Sequence, residues 1–200
     1  MSYSKFKKFK DLGSLGLTIR NANLNLKADL ISPSDWLQTT IKKNLELPKA
    51  SEKAKCEFFI TPILSEIVDN NKSKITYFSG YEFNVEKSLE LVGRCDYLIT
   101  CVPDSPMIQA PVLSVVEAKD DNFEKGHPQC IAQMRAVQIF NEREGKPTPV
   151  VFGASSYGLA WQFLKLENDT VKVDNRFYTI DNLPEILGVL QYIVDFYEKK

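Results

Sequence analysis

The sequence predicts a mixed α/β fold, in which a central sheet is flanked by helices. Two observations support this class. Runs of β-branched and aromatic residues, separated by turn residues, follow one another from about residue 74. Apolar residues also recur at helical spacing near both ends of the chain and directly after the third strand-like run. A helix between strands predicts a crossover connection, and 200 residues are enough for one domain of this kind.

Two helices are predicted before the first strand of this sheet. Ser34 is a suitable N-cap for a helix that runs to about Leu47, before Pro48. Ser51 begins a second helical stretch, and Pro62 within it predicts a kink or a break. These segments form a helical N-terminal extension and the first helix of the core.

Three strands and a helix follow. The predicted strands cover about 74–85, 89–102 and 112–119, and Gly80 predicts a bend or bulge in the first of them. The helix is predicted from about 128 to 141, with a proline in its first turn. Three more strand-like runs lie after Gly145, and a final helix is predicted from about Leu183.

The overall charge excludes a polycationic protein. The net charge is −1 and the pI is about 6.0, so a nucleic-acid partner would have to be held by a local basic surface. Several lysines could form such a surface or could simply be a solvated face. They are Lys5, Lys7, Lys8 and Lys10, followed by Lys42, Lys43 and Lys49.

Cysteine spacing and hydropathy point to a cytoplasmic protein that has no membrane partner. The four cysteines show no C-x-x-C spacing, and with the single histidine, His127, they make a poor zinc set. Reduced and mostly buried thiols are expected. The N-terminus lacks the apolar region of a signal peptide, and no apolar run reaches the length needed to span a bilayer.

The candidate site lies at the ends of two predicted neighbouring strands. Because strand side chains alternate, Glu117 and Lys119 point to one face. Asp96 stands among apolar residues of the preceding strand, where a carboxylate is costly unless it is paired or binds a cation. If Asp96 and Glu117 face the same side, their oxygens suit Mg²⁺ or Mn²⁺. Lys119 could then orient or help to activate a water molecule.

Two glutamines on the following helix belong to the same constellation. Gln129, Gln133, Ala136 and Phe140 recur at helical spacing, so the stripe is expected to face the sheet. Glutamines in that position need buried partners. They could orient the carboxylates or the lysine, or contact a phosphate.

Structural alternatives exist for each of these residues. Glu117 and Lys119 could form a surface ion pair on an unrelated sheet. His127 is expected to be a loop residue or a helix-start partner rather than a catalytic base. Trp36 and Trp161 are expected in the core or on a sheet face. The acidic residues after Lys119 could be outer metal ligands or solvated charge; they are Asp120, Asp121 and Glu124.

The set of motifs, taken together, resembles the PD-(D/E)XK nuclease superfamily, which has the restriction-endonuclease-like fold. The matching segments are "GRCDYLI" with Asp96, "VVEAK" with Glu117 and Lys119, and "QCIAQ" with Gln129 and Gln133. Longer segments such as "FSGYEFNV" are similar to uncharacterised bacterial members. The resemblance covers about residues 50–160 and implies a core in the order α-β-β-β-α-β.

The resemblance implies a function and a role for each matching residue. Asp96 and Glu117 would bind Mg²⁺, Lys119 would position the attacking water, and Gln133 with Gln129 would support the site. Many members add a glutamate from the helix before the first strand, and Glu57 is preferred here over Glu66 because apolar residues surround it. Gln133 differs from the tyrosine of several nuclease branches, which leaves the branch open.

The expected function is metal-dependent hydrolysis of phosphodiester bonds in nucleic acid, with DNA as the first substrate to consider. A homodimer would suit this task, because two copies can cut two strands. The alternative is a catalytically inactive nucleic-acid-binding or protein-interaction module on the same fold.

Overall fold

An eight-stranded mixed sheet forms the centre of the protein in the computed structural model, which describes residues 3–119 and 123–198. The strands are β1 (Thr18–Ala22), β2 (Thr76–Glu82), β3 (Arg94–Thr100), β4 (Val112–Ala118), β5 (Val150–Ser156), β6 (Ala160–Glu167), β7 (Thr170–Asp174) and β8 (Tyr178–Thr179). Their order is β1-β7-β6-β5-β4-β3-β2, and β8 pairs with β6. The β1–β7 and β4–β5 pairs are parallel, and the other pairs are antiparallel.

Helices pack on the two faces of this sheet. They are α1 (Asp35–Asn44), α2 (Glu52–Lys55), α3 (Thr61–Asn70), α4 (Phe123–Arg143) and α5 (Leu183–Glu198), with short 3₁₀ helices at 3–5, 9–15, 87–89 and 180–182. Side chains of α1, α3 and α5 build the core on one face. Side chains of α4 and of the N-terminal 3₁₀ segments build the core on the other.

The predicted mixed α/β class is confirmed. From residue 61 to residue 156 the elements follow the order α3, β2, β3, β4, α4, β5. Helix α4 is the crossover between the parallel strands β4 and β5. It therefore lies over β4, which carries Glu117, and over the neighbouring strand β5.

The two N-terminal helical segments begin at the predicted caps. The Ser34 hydroxyl accepts a hydrogen bond from the backbone of Leu37 at 3.1 Å, and Ser51 caps α2 in the same way. The predicted disturbance at Pro62 takes the form of a π-helical turn, Cys56–Ile60, which joins α2 to α3 without a break.

Four details differ from the sequence-based expectations. Helix α4 begins at Phe123, so Pro128 lies inside it and not in its first turn. The N-terminal extension is not only helical, because β1 adds a parallel strand beside β7. The last strand-like run is divided into β7 and β8. Trp36 is 54% exposed, and the prediction that it lies in the core was wrong, whereas Trp161 is buried as expected.

A glycine and an asparagine fix the position of α4 on the sheet. A Cβ at Gly153 would lie 2.5 Å from the Met134 sulfur and 2.8 Å from the Cys130 sulfur, so only glycine lets α4 approach β5 this closely. At the other end, the buried Asn141 side chain accepts from the Val112 N–H and donates to the Val112 carbonyl, both at 2.8 Å. Helix α4 is thus held at both strands that it connects.

No helix among the described residues is both long and apolar enough to cross a membrane. The four cysteines carry free thiols, of which Cys95 and Cys130 are buried and Cys56 and Cys101 are partly buried.

Candidate active site

Strand register brings the two predicted carboxylates together. In the β3–β4 ladder Tyr97 pairs with Val116, so the next step of the ladder sets Asp96 opposite Glu117. Directly opposite residues of antiparallel strands have Cβ atoms about 4.5–5.5 Å apart. One Asp96 oxygen accepts a hydrogen bond from the backbone N–H of Ala118 at 2.8 Å, which anchors its carboxylate at the end of β4.

Glu117 is the buried centre of the site. Its side chain has no exposed surface. One of its oxygens accepts a hydrogen bond from the Lys119 ammonium at 2.6 Å, and the other accepts from the Gln133 amide at 2.7 Å. Glu117 and Lys119 therefore lie on one face as predicted, and the alternative of a surface ion pair is wrong.

Burial has the largest single effect on the pKa values of these groups. Burial and then the neighbouring Asp96 charge raise the pKa of Glu117 to about 8, against the opposing effects of Lys119 and Gln133. Burial also raises the pKa of Asp96. For Lys119, burial alone would lower the pKa, but the Glu117 charge and its hydrogen bond outweigh burial and the pKa is raised.

The neighbours of Glu117 have opposite effects on its protonation. Lys119 gains most from an ionised Glu117, whereas burial and Asp96 favour the protonated form. The pKa of Glu117 is raised on balance, because a fully buried carboxylate beside another carboxylate is not screened by water. Lys119 is the cation whose charge favours the ionised forms of both Glu117 and Asp96.

Glu57 and Glu66 were the predicted additional ligands, and the structure adds Glu52 as a third candidate. Glu66 is buried and accepts hydrogen bonds from the backbone and the hydroxyl of Ser34, both at 2.7 Å, so it supports the start of α1. The side chain of Glu57 is 58% exposed and lies 3.7 Å from Lys53, so the expected inward position of Glu57 was wrong. Glu52 lies 3.8 Å from the Lys119 ammonium.

A small cleft gives solvent access to Asp96. The cleft has a volume of about 260 Å³, and Glu52, Glu57 and Asp96 all line it. Gly80 also lines it. In the β2–β3 register Gly80 lies opposite Asp96, and with a φ of +61° it forms the predicted bend of β2. The absence of a side chain at this position keeps the cleft open beside the carboxylate.

The two glutamines of α4 have different surroundings. Gln133 is fully buried and holds Glu117, while its own amide oxygen has no hydrogen-bond partner among the described residues. Gln129 is partly buried and lines a larger groove next to Lys119. An unsatisfied buried acceptor beside two carboxylates is a costly arrangement unless a donor or a cation completes it.

His127 is a structural residue of α4 and not a loop residue. One ring nitrogen lies 2.9 Å from the Ser155 hydroxyl, and the other lies 2.7 Å from the side-chain oxygen of Gln162. Ser155 pairs with Glu117 in the β4–β5 ladder. His127 therefore ties the first turns of α4 to the strand beside the site.

The residues present fit a hard divalent cation. Carboxylate oxygens on adjacent strands are ligands that Mg²⁺ prefers. Burial and then the Asp96 charge raise the pKa of Glu117, and a cation beside it would favour the ionised form. Within residues 3–119 and 123–198, no group of three or more His, Cys, Asp or Glu side chains is arranged to hold a metal ion. Asp120, Asp121 and the Glu124 side chain lie outside the described part of the chain.

Sequence reasoning missed two features of this region. Glu52 was overlooked because only apolar surroundings were used to choose among the glutamates. The hydrogen bonds of His127 were missed because the helix was predicted to begin one residue after it. The signal for Glu52 was available, since it directly follows the Ser51 cap.

Comparison with known proteins adds no relative. No protein-family model matches this sequence. No curated protein is significantly similar to it.

Proposed function

We propose that this chain is a metal-dependent nuclease of the PD-(D/E)XK superfamily, with the restriction-endonuclease-like fold. The observation that carries the proposal is the fully buried Glu117, which lies beside Asp96 on the adjacent strand and is hydrogen-bonded to Lys119. Acid, acid and lysine at the ends of two central strands, under a crossover helix that supplies a glutamine, suit phosphodiester hydrolysis.

Each residue has a role in this proposal. Asp96 and Glu117 would hold Mg²⁺ or Mn²⁺, which when bound lowers the pKa of a water molecule and offsets phosphate charge. Lys119 would hold the attacking water in position. Gln133 keeps the Glu117 carboxylate oriented through its 2.7 Å hydrogen bond. Gln129, at the edge of the groove, would contact a phosphate.

The additional acid is reassigned within the proposal. Glu57 lines the cleft but extends into solvent beside Lys53. Glu52 lines the same cleft and also lies near Lys119. Glu52 is therefore the better candidate to complete the metal site, through a water molecule or directly.

The proposed substrate is nucleic acid, with DNA as the first choice, and the proposed location is the cytoplasm. Free thiols at all four cysteines are in keeping with a reducing compartment. A homodimer remains part of the proposal for any activity that cuts both strands of a duplex.

One observation favours the alternative of an inactive binding module. The 2.6 Å contact between Lys119 and Glu117 satisfies one carboxylate oxygen without a metal ion. A protein that has lost its cation could keep the fold in this way. Metal binding and cleavage therefore have to be measured separately.

The decisive experiment is calorimetric titration of Mg²⁺ and Mn²⁺ into the wild type and into an Asp96→Asn, Glu117→Gln double variant, followed by cleavage assays on DNA and RNA. The substitutions keep the side-chain shapes and remove the charges. We expect binding and cleavage in the wild type and neither in the variant. A Lys119→Gln variant is expected to bind metal and to lose cleavage.

Glu167→Gln is the matched control, because Glu167 is also paired with lysines but lies at the far end of β6. It should bind and cleave like the wild type. Equal metal binding by the wild type and the double variant would refute the site. Metal binding without cleavage of any nucleic acid would favour the inactive module.

A further inference from the structure

A groove lined by lysines lies beside the candidate active site. It has a volume of about 770 Å³, and Lys119 and Gln129 form one side of it. Lys7, Lys8 and Lys125 also line it, and we call it the lysine groove. These three lysines are exposed, and none of the ion pairs found within the described residues uses them. Within residues 3–119 and 123–198, the groove therefore presents three lysines without an ion-pair partner next to the residue proposed to hold the attacking water.

The N-terminal segment "KFKKFK" builds the far side of this groove by alternating apolar and basic residues. Phe6 is buried and anchors the segment in the core. Phe9, three positions later, is 42% exposed and lines the groove. The alternation thus holds a phenylalanine ring and two lysines together at the surface.

A row of rings continues from Phe9 across the start of α4. The ring of Phe9 lies 6.5 Å from that of His127, which lies 5.9 Å from Phe123. Phe123 in turn lies 5.2 Å from Phe177 and 5.0 Å from Tyr157. We call these five rings the aromatic row. Phe9 and Phe177, at opposite sides of this row, are open to solvent, with 42% and 56% of their surface exposed.

Phenylalanine rings offer a base no hydrogen bond, so they can recognise it only by stacking. A base inside a duplex has both faces covered by its neighbours, whereas the bases of a single strand are free to stack on a protein ring. Proteins that bind single strands combine a basic groove along the backbone with aromatic side chains for the bases. The lysine groove and the aromatic row have this combination.

We propose that the lysine groove and the aromatic row bind a single-stranded segment of nucleic acid and lead it to the active site. Phosphates contact Lys7, Lys8 and Lys125, and unpaired bases stack on Phe9 and Phe177. This inference rests on the proposed function, because it names the substrate of that site. It restricts the substrate to single strands, overhangs or locally opened duplexes.

The test measures binding by fluorescence anisotropy with metal ions chelated. The probes are labelled 20-nucleotide oligo(dT) and oligo(rU) and a blunt DNA duplex of the same length, so the two oligonucleotides distinguish DNA from RNA. We expect the wild type to bind at least one single strand more tightly than the duplex. A Phe9→Leu, Phe177→Leu variant should lose about 5- to 150-fold in single-strand affinity for each unstacked base, with duplex binding unchanged.

One further variant tests the lysines of the groove, and two control variants remove lysines and a ring elsewhere on the surface. Lys7→Gln, Lys8→Gln should weaken binding of all probes and reduce the salt dependence of single-strand binding by a slope of about 1.4. Lys42→Gln, Lys43→Gln removes two exposed lysines of α1 and should bind like the wild type. Trp36→Leu removes an exposed ring outside the groove and should also have no effect.

Two results would overturn the inference. One is wild-type affinity for the duplex equal to or higher than that for both single strands. The other is unchanged single-strand binding after loss of Phe9 and Phe177. Cleavage of a duplex with Mg²⁺ by such variants would leave the proposed function intact while the inference fails. Single-strand binding that depends on the two rings, without cleavage of any substrate, would support the inference while the proposed function fails.

Discussion

Replacing Glu117 by glutamine is expected to change how the stability of the metal-free protein depends on pH. Glu117 has a pKa of about 8 in the fold against 4.5 for the unperturbed group. Because the folded pKa is the higher one, the folded protein binds more protons than the unfolded chain between these two values. The contribution of Glu117 is therefore fully present below pH 4.5, falls as the pH rises, and is lost above about pH 8.

The size of this loss follows from the same two values. A difference between 4.5 and about 8 corresponds to about 5 kcal/mol at most, and a loss of about 2–4 kcal/mol is expected for the wild type between pH 5 and pH 9. The glutamine variant has no ionisable group at this position, so its stability does not show this decrease with pH. The fold can accept the substitution, because the unpartnered Gln133 oxygen can turn to accept from the new amide.

The measurement is urea denaturation of the wild type and Glu117→Gln at pH 5, 7 and 9, with EDTA present throughout. Titrating groups remote from Glu117 change the stability of both proteins equally, so the difference between the two reports Glu117 together with its coupled neighbours Asp96 and Lys119. We expect the free energy of unfolding of the variant to rise relative to that of the wild type from pH 5 to pH 7 and again from pH 7 to pH 9. A difference that stays constant within about 0.5 kcal/mol from pH 5 to pH 9 would refute a buried, proton-retaining Glu117.

Three further substitutions test the supports of the site by urea denaturation. Gly153→Ala should cost about 1–3 kcal/mol, because its Cβ would collide with sulfur atoms of α4, whereas Gly13→Ala has open space and should be nearly neutral. Glu66→Ala should cost about 1–3 kcal/mol, because two groups of Ser34 lose their acceptor, and should leave metal binding unchanged. Asn141→Ala should cost about 1–3 kcal/mol, since it leaves the first residue of β4 without its side-chain partners.

The sequence predicted well those features that depend on short-range periodicity. Alternation along β4 set Glu117 and Lys119 on one face, and helical spacing in α4 turned Gln133 toward the sheet. The turn residues between strands located β2, β3 and β4 to within a few residues. These patterns show which side of a strand or helix is buried. Asp96 and Glu117 were expected to meet because they lie on buried sides of strands that are neighbours in the sequence.

Features that depend on a local change of helix geometry could not be predicted in this way. The π-helical turn Cys56–Ile60 inserts one extra residue and rotates the following face by about 100°. Apolar neighbours in the sequence therefore did not predict which glutamate faces the interior, and the Glu57 side chain in this turn is 58% exposed. Long-range pairing was equally hidden, because β1 joins β7 across about 150 residues of chain and the sequence carries no local signal for it.

Charge balance explains why a site of this composition would be completed by a cation and a phosphate. Asp96 and Glu117 carry two negative charges when ionised, and Lys119 supplies one positive charge, so the buried group retains one net negative charge. Glu52 adds little, because its side chain is 40% exposed and screened by water. A divalent cation reverses the sign, and one phosphodiester then makes the assembly neutral. Burial and then the adjacent Asp96 charge raise the pKa of Glu117, and a bound cation would oppose both effects. On this argument, substrate and metal are expected to bind more tightly together than either binds alone.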